Sequence, residues 1–152
     1  MGSRTFIKPR IKNQVMGIAV DYAREKFKDS QQPVLKEGIV RICDNQITYI
    51  IDPSTIVTGP IDNDVNEDAI VTIRSFKGKF PFKTEQLILI KTNRKFILAR
   101  VIEADMKIME IKDMMIFAEV PKFPPDSPAY DCNICKEVVK YRYRDGNLVK
   151  AE

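Results

Sequence analysis

The sequence predicts an α+β fold that is mainly antiparallel β. One N-terminal amphipathic helix packs on a curled sheet or a small, partly closed barrel, and a C-terminal hairpin appendage follows. Three observations carry this. An apolar period of 3.6 runs only from about residue 13 to residue 28, and from residue 35 the period is 2. β-branched runs then recur at short intervals with turn residues between them, the pattern of meanders and small barrels. No βαβ rhythm alternates helix with strand, which argues against a parallel nucleotide-binding sheet.

Residues 1–12 read as a basic arm. Asn13 suits a helix N-cap. Met16, Val20, Ala23 and Phe27 follow at i, i+4, i+7 and i+11, the stripe of a helix expected to be buried against the sheet. Asp21, Arg24, Glu25, Lys26 and Lys28 take the opposite face, and Asp29–Pro33 ends the helix. Gly38–Cys43 and Gln46–Ile51 are strands flanking the turn Asp44-Asn45, which tolerates positive φ. Asp52–Asp68 is a long acidic loop with Pro53, Gly59 and Pro60. Ala69–Arg74 is a strand and Phe76–Phe82 a turn carrying Gly78 and Pro81. Leu87–Lys91 and Lys95–Ile102 pair across Thr92-Asn93-Arg94, and Lys107–Ile111 and Met114–Val120 complete a domain of residues 13–120. Pro121, Pro124, Pro125 and Pro128 predict an extended, stiff connector over 121–129. Residues 130–152 form a separate Cys-x-x-Cys hairpin segment, with Val138–Tyr143 and Leu148-Val149 around the turn Asp145-Gly146.

Composition narrows the chemistry. The chain of 152 residues has no histidine, which excludes Ser-His-Asp and Cys-His hydrolysis, His-ligated zinc catalysis and His general-base chemistry. Its six glycines form no phosphate-binding or nucleophile-elbow motif. Lys and Arg outnumber Asp and Glu by 25 to 21, a mildly basic balance with a net charge of +4. No apolar stretch approaches the ~20 residues of a membrane-spanning helix, so no membrane partner is expected. An odd cysteine count of three in a chain long enough for its own core predicts a reducing, intracellular setting, or the interior of a virus particle.

Tyr130-Asp131-Cys132-Asn133-Ile134-Cys135-Lys136 followed by a hairpin resembles one knuckle of a zinc ribbon over about twenty residues. Two thiolates on a tight turn supply half of a tetrahedral zinc site. The resemblance implies Cys132 and Cys135 as ligands. The chain departs from it in lacking a second pair, with only Cys43 upstream to add a third thiolate. Cys43 with an Asp, a zinc shared between two chains, and a second pair beyond residue 152 are the three completions. Two reduced cysteines in an ordinary turn is the plainer reading. Thiol–disulfide exchange is a third, although a reactive thiol of the thioredoxin kind sits at a helix N-terminus, whereas a strand follows this pair.

Two more features carry chemistry. Asp62–Asp68 begins like a calcium loop but has Glu67 and Ile73 where an EF-hand needs Gly and Glu, so it reads as a solvated acidic turn. Asp52, Asp62, Asp64, Asp68, Glu85 and Glu103 lie near strand ends without the acid-x-Lys pattern of metal-dependent nucleases, so no enzyme is predicted. Phe76, Lys77, Lys79, Phe80, Phe82 and Lys83 on one turn, and Tyr141, Arg142, Tyr143 and Arg144 on the last hairpin, interleave aromatic and basic residues. That mixture stacks bases and holds phosphates on nucleic-acid-binding surfaces. The competing expectation is that Phe80 and Phe82 plug a barrel end and that the two tyrosines face the core. The function expected is a non-enzymatic binding or assembly module, a subunit or accessory of a larger protein complex or a homo-oligomer, as in a viral or phage particle. A nucleic-acid accessory protein is the alternative, and a Cys-x-x-Cys redox protein the second alternative.

Overall fold

The computed structural model describes residues 7–26, 33–36, 38–43, 46–62 and 66–151. Helix α1 spans Pro9–Glu25, so residues 9–12 belong to the helix rather than to an arm. Pro9 stands at its first turn, where a missing N–H and a fixed φ suit the helix start, and no side chain caps it. The buried face is Val15, Ala19 and Ala23, at i, i+4 and i+8. Met16 and Val20 are only partly buried beside it, which corrects the expected stripe. Phe27 and the turn Asp44-Asn45 lie outside the described residues.

Among the described residues eleven strands follow: β1 (Val34–Lys36), β2 (Ile39–Cys43), β3 (Ile47–Ile51), β4 (Val57–Gly59), β5 (Asp68–Lys77), β6 (Phe80–Thr92), β7 (Lys95–Glu103), β8 (Lys107–Lys112), β9 (Met115–Pro121), β10 (Lys136–Arg144) and β11 (Asn147–Lys150). They form two antiparallel sheets, and neither closes into a barrel. The first runs β1-β2-β3-β5-β6-β7, with β4 pairing β5 beyond the end of β3. The second runs β11-β10-β9-β8. The α+β class with one N-terminal helix therefore holds.

The first sheet is covered on both faces. Ala69, Val71 and Ile73 of β5 and Leu87 and Leu89 of β6 meet Val15, Ala19 and Ala23 of the helix. Ile70 and Ile88, the alternate residues, meet Ile108, Ile111, Ile116 and Ala118 of the second sheet. The unbroken burial of Asp68–Ile73 and of Glu85–Leu89 follows from this two-sided cover. The layers are helix, sheet, sheet. Two buried polar side chains tie the layers together. Gln86 Nε2 donates to the carbonyls of Ala104 and Met106 at 3.1 and 2.9 Å, and its Oε1 accepts from the Thr72 hydroxyl at 2.7 Å. It holds the crossing from β7 to β8. Asp68 accepts from the backbone N–H groups of Ile61, Asp62 and Lys91, which fastens the end of the acidic loop to β6.

The C-terminal hairpin hangs from the second sheet. β10 pairs with β9 from Lys136↔Pro121 to Tyr141↔Ile116, and Tyr141, Tyr143 and Leu148 pack on the second core. The proline-rich segment is thus the β9–β10 loop. It is a run of turns (Ser127 N–H to Pro124 O, Tyr130 N–H to Ser127 O), closed by Lys122 N–H to Cys135 O at 2.9 Å, and not an extended tether.

Candidate functional site

The stretch expected as a turn over Phe76–Phe82 is a protruding hairpin. β5 and β6 run on to a tight turn at Gly78-Lys79, where Gly78 has a φ of 64°. The β6–β7 ladder ends at Glu85↔Glu103, so residues 80–84 of β6 extend past β7 as one arm of a finger. β3 flanks the other arm through Thr48↔Phe76 and Ile47↔Lys77. Phe80 is 77% exposed and Phe82 49% exposed. They do not plug a barrel end. From Arg74 to Thr84 the finger has four basic residues and no acid. The Lys83 ammonium lies over the Phe82 ring at 5.6 Å.

The root of the finger is pinned to the helix. Glu85, 4% exposed, accepts from the Tyr22 hydroxyl, and the Lys26 ammonium lies 3.4 Å from the same oxygen. Lys83 approaches the second oxygen at 4.0 Å; that oxygen is buried and makes no hydrogen bond. Burial, and then the bond to Glu85, push the Tyr22 hydroxyl up to about 12. Burial alone would lower the Lys26 ammonium; its bond with Tyr22 and the Glu85 charge raise it overall. This group positions the finger, and nothing in the apolar periodicity announced it.

Cys132 and Cys135 are joined as a disulfide in the β9–β10 loop, where reduced thiols were expected. Ile134 between them is 92% exposed. A bonded pair offers no thiolate to a metal. Cys43 lies elsewhere, on β2, with its sulfur 3.6 Å from the Thr48 hydroxyl. Among the described residues no three Cys, Asp or Glu side chains gather into a metal-holding group. Three of the six acids considered for catalysis are held as structural groups: Asp52 accepts from Ser54 N–H, Asp68 from three backbone N–H groups and Glu85 from Tyr22, while Asp64 lies outside the described residues.

The two basic aromatic groups are not brought together. Gly146, in the β10–β11 turn, lies beside Arg100 of β7, which pairs with Ile88 of β6. Phe80 lies eight residues further along β6, which at the rise of a strand is on the order of 25 Å. Within the last hairpin, Tyr141 and Tyr143 are partly buried and pack on the second core. Arg142 and Arg144 point to the other face. They line two adjoining depressions, one with Val149 and Lys150 and one with Asp62 and Tyr143. Neither a family model, a curated protein nor a solved structure matches this chain.

Proposed function

We propose that the chain is a non-enzymatic assembly module that docks its β5–β6 finger on an acidic protein surface. The observation that carries this is the exposure of Phe80 and Phe82 at the tip of a basic hairpin. Exposed aromatics ringed by cations serve as anchors that a partner desolvates. A second copy of the chain offers such a surface. The loop between β4 and β5 carries Asp62, Asp64 and Glu67. β5 has this acidic loop at one end and the basic finger at the other, ten residues or about 30 Å apart. Opposite charges at opposite ends of one strand favour a head-to-tail contact, which builds rings or filaments.

Sedimentation of the full chain over a range of concentrations tests this. Self-association that weakens with added salt, and is lost in the Phe80→Ser/Phe82→Ser variant at unchanged melting temperature, is the expected result. A monomer at every concentration and at low salt would overturn the self-assembly.

A further inference from the structure

A second surface, distinct from the finger, has a chemistry of its own. Among the described residues, the core of the second sheet lies on the side of Ile116, Ala118, Tyr141 and Tyr143. Strand alternation turns their neighbours outward. The outward set follows from register: Lys140 beside Phe117 and Glu110, Lys107 beside Glu119, Lys112 beside Met115, Arg142 beside Val149, and Lys136 and Arg144 at the two ends of β10. By register six cations stand against two acids, and Asp62 shares a depression with Arg142 and Arg144 at the edge of the face. The excess of four equals the net charge of the whole chain, so the remainder of the molecule is neutral on balance. None of the six joins an ion pair; the two ion pairs among the described residues both belong to Glu85. Phe117, on the central strand β9, is half-buried, and Val138 and Val149 are 59% and 49% exposed beside it.

We propose that this outer face binds single-stranded nucleic acid. Four of the cations lie on β10 (Lys136, Lys140, Arg142, Arg144), and the last three alternate along one face at a spacing of about 6.6 Å. That is a linear cationic track suited to a flexible phosphodiester chain. Phe117 lies next to the track and supplies a ring on which a base can stack, while Met115, Val138 and Val149 provide apolar contact. The face is a sheet from which no helix or ribbon projects, so it has nothing to insert into a duplex groove. The strand runs over the sheet with its phosphates on β10 and its bases toward β9.

Fluorescence anisotropy of a labelled oligothymidylate of about 16 nucleotides tests the face. Binding is expected at low salt, with a log–log salt slope near −3 for about four phosphate contacts at −0.7 each, and Arg142→Gln/Arg144→Gln should bring the slope nearer −1.4. Phe117→Leu keeps the packing and removes the ring; a loss of roughly tenfold in affinity is expected. The finger variant Phe80→Ser/Phe82→Ser should bind the oligonucleotide unchanged, which keeps this test separate from that of assembly. Absence of binding at low salt overturns the proposal. So does equal affinity for duplex of the same length, equal affinity for heparin with no effect of Phe117→Leu, or loss of binding in the finger variant alone.

Discussion

Gly59 of β4 lies directly against Ile111 of β8, a tight contact between the two sheets. A β-carbon at Gly59 would sit 2.7 Å from the Ile111 Cβ and 2.8 Å from its carbonyl oxygen. Because the neighbour includes backbone, it cannot swing aside. Gly59→Ala should therefore destabilise the protein by about 1–3 kcal/mol through overpacking. Thermal denaturation checks this, and Gly17→Ala, with nothing within 4 Å of the new carbon, is the control that should not lower stability.

Replacing Gln86 by Leu should be among the costliest single changes of similar volume. It strands the Thr72 hydroxyl and removes a donor from the Met106 carbonyl in the core, while the Ala104 carbonyl keeps its bond from Met106 N–H. Each unmet buried group costs about 1–3 kcal/mol, so a loss of several kcal/mol is expected. Urea titration measures it. A near-neutral outcome would mean that the link between the sheets is held by apolar contact alone.

The Tyr22–Glu85 bond makes stability depend on alkaline pH. The folded Tyr22 hydroxyl is raised from 10.0 to about 12, so its contribution is complete below pH 10 and fades as pH rises toward 12. Lys26 is raised as well, and acts in the same direction. Tyr130, raised to about 12 chiefly by its bond to Asp105 and then by burial, adds to the slope. Melting temperatures measured from pH 9 to 11.5 should fall less steeply in Tyr22→Phe than in the wild type. Identical slopes would show that Tyr22 titrates normally.

Thiol counting tests the cysteine loop. Alkylation of the unfolded protein without reductant should label one cysteine, Cys43, and after reduction all three. Zinc added to the reduced protein examines the half site: a four-thiolate site requires two chains, so a dimer with one ion per two chains is the expected product, lost in Cys135→Ser.

Turn chemistry offers a stabilising change. Arg94 in the β6–β7 turn has a φ of 68°, a conformation that costs a non-glycine residue about 1 kcal/mol. Arg94→Gly should raise the melting temperature slightly.

Strand positions were legible because the period of 2 survives wherever one face is wetter than the other, as in β2 and the first half of β9. The helix was legible, and Ala23 of its buried face with it, but Val15 and Ala19 were not. Ala19 carries little hydrophobic signal, yet its small size, like that of Ala23, lets the helix lie close on β5 and β6. The turn at Asn93-Arg94 was placed between two strand runs, whereas the turn at Asp113-Met114 holds positive φ at both residues without a glycine, so composition did not mark it. The prolines of 121–128 were misjudged because proline suits successive turns as well as an extended connector. Of the candidate sites, the finger's residues were visible as aromatic and basic letters, but whether Phe80 faced a core depended on β6 outrunning β7. Of the outer face only Arg142 and Arg144 were visible as basic letters, since its six cations come from β8 and β10, distant in sequence, and converge only through register.

The finger is not an ornament attached by a loop. Its two arms are the same strands that occupy the middle of the molecule, covered by the helix on one side and the second sheet on the other. A pull on Phe80 along the strand axis is therefore resisted by sliding of the β3–β5 and β6–β7 ladders, whose rungs lie across the force and bear it together instead of parting one at a time. Tension received at the tip reaches the centre of the fold without an intervening hinge.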